Sequence, residues 1–241
     1  MDQVQLSVLK QLYWLKVYAI GSTIVMAAIL TLGLTHKTPD VIRTQGLVIT
    51  DAQGRDRILI GAPIPSSKQR VRTDLEKVKK EWAANMGGES YMDNYNKNLY
   101  HGVEGILFLN EEGFDKLILG EKMPDPNTGK RIVDAAGFTF NDDRGFERGG
   151  LGVSKTEEGE YRVVFGMDDP KVGEALHLFV LEDGTKGLQI ASEDGRLLLG
   201  RSPQNGGFFN NREKFLGIKI EGTDGTLLWE KNAVKEDSAP Q

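Results

Sequence analysis

Hydrophobic positions along the chain fall into two regimes. From Val17 to Leu34 (VYAIGSTIVMAAILTLGL) they run for 18 residues without a charge. From Gly46 to Glu230 they come in short apolar runs separated by acidic turns that contain a glycine. The phrase recurs as LVITDAQGRDRILIGAP, ILFLNEEGFDKLILGEKMP, FTFNDDRGFERGGLG, EEGEYRVVFGMDDP, LQIASEDGRLLLGRSP and IKIEGTDGTLLWE. The first regime predicts one long helix. The second predicts a chain of β-hairpins.

The turns carry their own logic. In Asp51-Ala52-Gln53-Gly54 the leading Asp can accept backbone hydrogen bonds, and Gly at the fourth position can supply a positive φ. Turns of this kind are expected at Asn110–Gly113, Asn141–Gly145, Thr156–Gly159, Ser192–Gly195 and Gly222–Gly225. A second spacing reinforces the repeat. Gly54 and Gly61, Gly113 and Gly120, Gly145 and Gly152, and Gly159 and Gly166 are each seven residues apart. Pro63, Pro124, Pro170 and Pro203 follow closing glycines and end the return strands, because proline cannot donate to a ladder.

Several return strands are apolar at consecutive positions, as in Ile58-Leu59-Ile60, Leu117-Ile118-Leu119 and Leu197-Leu198-Leu199, and so require cover on both faces. The last copy alternates, with Leu216, Ile218 and Ile220 against Gly217 and Lys219, which suggests a more exposed C-terminal edge. The expected fold is mainly β: antiparallel hairpins closed as a barrel, a sandwich or a propeller-like body. Residues 64–103 interrupt the rhythm. Arg72–Met86 has helical spacing, with Leu75, Val78, Trp82 and Met86 near one face, Thr73 or Asp74 as cap, and Gly87-Gly88 as stop. The segment that follows, ESYMDNYNKNLYHG, reads as a loop rich in Tyr and Asn. The organisation expected is a tail and anchor over 1–36, a linker over 37–45, the hairpin domain over 46–232, and a disordered polar tail over 233–241.

The apolar run is long enough to cross a bilayer. Tyr13, Trp14 and Tyr18 cluster at its start, where aromatic rings favour the headgroup zone, and Lys16 can snorkel from within that band. A cleaved signal peptide would want a shorter core and a small-residue cleavage site, and TLGLTHKTPD offers none. A buried core helix has little use in a β-repeat domain. Lys10 and Lys16 precede the span and Lys37 and Arg43 follow it, so charge scarcely orients it. A short N-tail before a single span is the usual signal-anchor layout, which places the C-terminal body outside the cytoplasm.

Charge and composition then remove whole classes of chemistry. The chain has 30 basic and 35 acidic residues, of which four and two lie in the first 43, leaving 26 against 33 in residues 44–241. That excess of seven negative charges repels phosphate backbones, so no nucleic-acid partner is expected. With no cysteine, disulfides, thiolate metal sites and cysteine nucleophiles are excluded. No Gly-x-Ser-x-Gly elbow and no Gly-rich phosphate loop occurs. His36, His101 and His177 are too scattered in sequence to suggest a metal site. The acidic pairs Glu111-Glu112, Asp142-Asp143, Glu157-Glu158, Asp168-Asp169 and Glu193-Asp194 read as solvated hairpin tips, and none has the spacing of an EF-hand loop. No metal and no cofactor is expected.

The anchor, the helical insertion and phrases such as GLVITDAQGRDRILIGAP and NDDRGFERGGLG together resemble uncharacterised membrane-anchored bacterial β-hairpin-repeat proteins. The resemblance covers most of the chain and implies an architecture and a bacterial cell-membrane location, single-pass, without an activity. The one polar and aromatic cluster suited to recognition is Tyr91, Asp93, Asn94, Tyr95, Tyr100 and His101, which could meet another envelope protein or a glycan. The function expected is a non-enzymatic, membrane-tethered interaction or scaffolding module. The alternative is a carbohydrate-active or other envelope hydrolase using turn carboxylates.

Overall fold

The structure, a computed structural model, describes residues 3–34, 41–97, 102–125 and 134–234. The chain forms two compact units, Met1–Thr44 and Gln45–Gln241. In the first, helix α1 spans Gln3–Leu34. Its side chains from residue 3 to 31 are exposed on every side, as expected of a helix without an apolar stripe. It is long and apolar enough to cross a membrane.

The second unit is mainly antiparallel β. Its first six strands are β1 (Gly46–Thr50), β2 (Asp56–Gly61), β3 (Glu104–Leu109), β4 (Asp115–Glu121), β5 (Asp134–Asn141) and β6 (Glu147–Lys155). Then come β7 (Tyr161–Asp169), β8 (Gly173–Val180), β9 (Lys186–Ser192), β10 (Gly195–Ser202), β11 (Phe215–Glu221) and β12 (Leu227–Asn232). Among the described residues these make one twelve-stranded sheet whose order in space is the order in sequence. The sheet does not close. β1 and β12 are its edges, so a barrel or propeller-like closure gives way to an open meander.

The turn grammar holds at atomic detail. In the first hairpin the Gly54 amide donates to the Asp51 carbonyl and the Asp51 amide to the Arg55 carbonyl. The Asp51 carboxylate accepts from the Gln53 and Arg55 amides. Asn110 and Asp142 repeat this arrangement, and Gly54 and Gly113 take φ of 78° and 89°. Two hairpins depart from expectation. Ser192 pairs directly with Gly195 across a two-residue turn. A further turn of the repeated form lies at Leu181–Gly184, where the phrase opens on Leu instead of Asp or Asn and so lacks its usual signature.

Directly paired residues share a face, so the registers sort the sheet into rows. One row runs from Val48 through Leu59, Leu107 and Ile118 to Thr139. It continues through Gly150, Gly166, His177, Gln189 and Leu198 to Lys219. Apart from Val48 and the glycines these side chains are buried, and we call this the covered face. Two residues along, Gly46, Gly61, Gly105, Gly120, Gly137 and Gly152 pair in succession. A Cβ at Gly120 would strike the Glu104 carbonyl and lie 2.9 Å from Gly105 Cα; adjacent backbones here approach too closely for a side chain.

Connecting segments supply the cover. Ile64, Val103 and Met123 pack with Leu59, Leu107 and Ile118. Phe209 packs with Leu198, Phe179 and Phe215. Burying such aliphatic side chains contributes about 1.5–3 kcal/mol each. Lys219 and Glu221 are also buried: Lys219 Nζ lies 2.8 Å from Glu221 and donates to the Phe209 carbonyl, and Arg196 holds Glu221 at 2.6 Å. In β11 the polar side faces inward and Leu216 outward, the reverse of the simple reading of its alternation.

The insertion begins with a 3₁₀ turn at Val71–Thr73, followed by α2 (Leu75–Glu81). Asp74 caps α2, its carboxylate accepting from the Glu76 and Lys77 amides. Val78 and Trp82 are buried as expected, but Leu75 and Met86 are exposed. The helix ends at Glu81, so Met86 does not continue its face. The Tyr/Asn-rich segment, read as a loop, instead forms α3 (Glu89–Lys97) directly after Gly87-Gly88.

Candidate functional site

The middle of the covered row is where its apolar character lapses. Thr139, Gly150, Gly166, His177 and Gln189 stand between the aliphatic lobes of β2–β4 and of β10. Each polar member sits in a strand between apolar neighbours, as FTF, LHL and LQI, and period-two alternation turns it away from them onto the other face. A groove of about 580 Å³ opens along β5–β8 at this point, in the size range of small-molecule sites.

Its floor lacks side chains at Gly150 and Gly166, between Thr139 and His177. A Cβ at Gly166 would come within 3.1 Å of His177 Nε2, so the missing side chain makes room for the imidazole. His177 Nε2 lies 3.7 Å from the Glu174 carboxylate. Thr139 is buried, and among the described residues its Oγ1 has no hydrogen-bond partner. Glu147, Asp168, Asp169 and Glu174 also line the groove. Asp169 accepts from the Lys171 and Val172 amides and thereby orders the turn between β7 and β8. Among the described residues no group of three His, Cys, Asp or Glu side chains is arranged to hold a metal.

The opposite, open face has a different chemistry. Leu119, Phe138, Leu151, Phe165, Leu178 and Leu188 pair in succession across β4–β9. Leu119, Leu151 and Leu178 keep 40–48% of their surface exposed. A parallel row includes Ile49 on β1, Met167 on β7 and Trp229 on β12, also 40–48% exposed. An apolar surface that crosses the whole sheet is larger than the patches monomeric proteins usually show. The expected cover on both faces is present on one only.

The sequence-predicted cluster is divided by α3. Tyr91 and Tyr95, four residues apart, fall on one side of the helix and are buried against Trp82, Val71 and Phe114. Their rings lie 5.8 Å apart, and Tyr95 stands 6.0 Å from Trp82 in edge geometry. The Tyr95 hydroxyl donates to the Arg72 carbonyl at 3.0 Å. Burial raises both phenol pKa values. Both side chains thus pack inside the protein. Asp93 and Asn94 are exposed on the other side of α3. Tyr100 and His101 lie outside the described residues, as does His36.

The same cluster is fixed to the sheet by a buried ion triad. Arg70 meets Asp115 at 2.6 Å and Arg72 meets it at 3.3 Å. Burial pushes the Asp115 carboxyl up, but the two guanidiniums outweigh it and hold its pKa below the ordinary value. Trp82 receives Arg72 over its ring at 5.3 Å and donates to the Arg144 carbonyl at 2.8 Å. None of these groups is aimed at solvent; the triad joins the insertion to the start of β4.

Comparisons with known proteins give no matching family model, no matching curated protein and no matching solved structure.

Proposed function

We propose that the chain is a non-enzymatic, membrane-tethered interaction module of the bacterial cell envelope, carrying its partner surface on the open face of the sheet outside the cytoplasm. The observation that carries this reading is the continuous apolar row through Leu119, Leu151 and Leu178, exposed on a protein whose other face is covered. The most exposed members of this row are leucines, which offer a glycan no hydrogen bonds, and the reading we favour is that the partner is another envelope protein. α1 supplies the tether. The test is crosslinking and capture of the full-length protein from membranes, with and without Leu151→Glu plus Leu178→Glu. Loss of the captured protein with an unchanged circular dichroism spectrum supports the proposal. An unchanged capture refutes it.

A second reading attaches to the groove, where His177 and the carboxylates of Asp125, Glu147, Asp168, Asp169 and Glu174 line one cleft. An envelope hydrolase would use two of them as acid and base. Activity on cell-wall glycans that disappears in Asp168→Asn would favour it over the interaction module.

A further inference from the structure

The sheet stops at two edges that both expose apolar residues: β1, without a charge, and β12, where Leu227, Leu228 and Trp229 precede Glu230 and Lys231. Val48 belongs to the covered row with Leu59, Leu107 and Ile118, yet it is 38% exposed while those three are at 0%. Among the described residues no strand lies beyond it. Natural edges are usually blunted by charge, proline or a bulge. β1, with the sequence GLVIT, carries no charge and no proline; its register is regular from Gly46 to Ile49 and shifts only between Ile49 and Thr50, at the hairpin end. At the other edge, Leu227, Leu228 and Trp229 are 52%, 63% and 48% exposed.

The two edges match. Twelve antiparallel strands in sequential order leave β12 running opposite to β1. A β1 strand from another chain, laid beside β12, therefore extends the meander with the alternation that every internal junction already has. The rows fix the register. Asn232 pairs with Gly217, at the end of the row that begins with Gly46. Continuing that row places the next chain's Gly46 opposite Asn232 and its Ile49 opposite Trp229. Ile49 and Trp229 lie in one open-face row within the chain, so the apolar row runs on without a break. Glu230 and Lys231 then lie beside Val48 and Leu47, where long charged side chains can lay their stems along apolar surface.

We propose that β12 of one copy takes β1 of a second copy, continuing the sheet from chain to chain. The contact is head-to-tail: it leaves a free β1 at one end and a free β12 at the other, so assembly propagates to a ring or a filament. The proposal does not depend on what covers the open face, since the substitutions at Leu151 and Leu178 leave both edges intact.

The absence of cysteine permits a clean test. Full-length Ile49→Cys and Trp229→Cys are purified separately in detergent, their folds are checked by circular dichroism, and each is oxidised alone and as an equal mixture. The expected result is a disulfide-linked dimer in the mixture and none in either variant alone. The double variant Ile49→Cys/Trp229→Cys should give a ladder of higher species. Dimer from Trp229→Cys alone would show like edges meeting and would overturn the proposal, as would a mixture that stays monomeric with both variants folded.

Discussion

Asp115 and Arg70 meet side by side in the interior, Arg70 Nε to Oδ1 at 2.8 Å and its terminal nitrogen to Oδ2 at 2.6 Å, with both residues no more than 3% exposed. Arg72 approaches the same carboxylate. One acidic side chain at the start of β4 thus holds two cations from a segment more than 40 residues earlier. Removing it takes the shared carboxylate away from both guanidiniums in a low-dielectric site. Asp115→Ala should cost about 3–5 kcal/mol, measured as a fall in denaturant midpoint. Asp93→Ala, on the exposed side of α3, should change stability by less than about 0.5 kcal/mol.

The same pair sets an acid limit. The folded Asp115 pKa is depressed, so its contribution is present above the unfolded value of 3.8. It is lost as pH falls below that value toward the folded pKa, where folding no longer releases the proton. Stability measured from pH 6 downward should decline below about pH 4. In Asp115→Asn this part of the decline should be missing.

Tyr95 sets the opposite limit. Its folded pKa is raised by burial, so its contribution is present below the ordinary phenol value and is lost as pH rises above about 10, where the unfolded chain ionises first. Tyr95→Phe removes the titration and one hydrogen bond, costing about 1 kcal/mol at pH 7. Tyr95→Ala leaves a cavity beside Trp82 and should cost about 3–5 kcal/mol. Urea denaturation of the three proteins at pH 7 and pH 10.5 separates these effects.

Local chemistry in this chain was legible and non-local chemistry was not. Asp51, Gly54 and the Asp74 cap act on backbone atoms within five residues, so their roles are written in short phrases. The spacing of Tyr91 and Tyr95 is that of one helix face, a signal obscured by the Asn-rich composition around them. The inward side of β11 could not be read, because Lys219 and Glu221 are buried only by virtue of Arg196 on β10 and the Phe209 carbonyl. The groove needed Thr139, Gly166 and His177 from β5, β7 and β8 to be in register. The one trace of it in the sequence was a polar residue centred between apolar ones in FTF, LHL and LQI.

Two turn glycines should respond differently to the same change. Both have positive φ, but a Cβ at Gly54 meets nothing within 4 Å, whereas at Gly113 it would strike the Gln69 carbonyl. Gly54→Ala should cost about 1–2 kcal/mol from conformational strain alone. Gly113→Ala adds about 1–3 kcal/mol of overpacking against the insertion. Gln53→Ala, at an exposed position of the same turn as Gly54, should be nearly neutral. Melting temperatures in that order confirm the hairpin assignment; equal values for all three contradict it.

The last prediction concerns α1. Its side chains from residue 3 to 31 are exposed, and the stretch from Val17 to Leu34 has no charge. In water such a helix would leave most of its apolar surface hydrated at about 25 cal/mol per Å². A bilayer removes that cost, while Tyr13, Trp14 and Tyr18 at one end suit the headgroup layer. The full-length protein should therefore stay with membranes through carbonate extraction, and a reporter active only outside the cytoplasm should work when fused to Gln241. Replacing Val25 and Ile29 by Arg places two charges near the middle of the span, each costing about 2.5–3.5 kcal/mol on insertion. Most of the double variant should then move to the carbonate-soluble fraction with its sheet intact by circular dichroism. Wild-type protein extracted by carbonate, or a stable but inactive fusion, would rule out the anchor or its orientation, respectively.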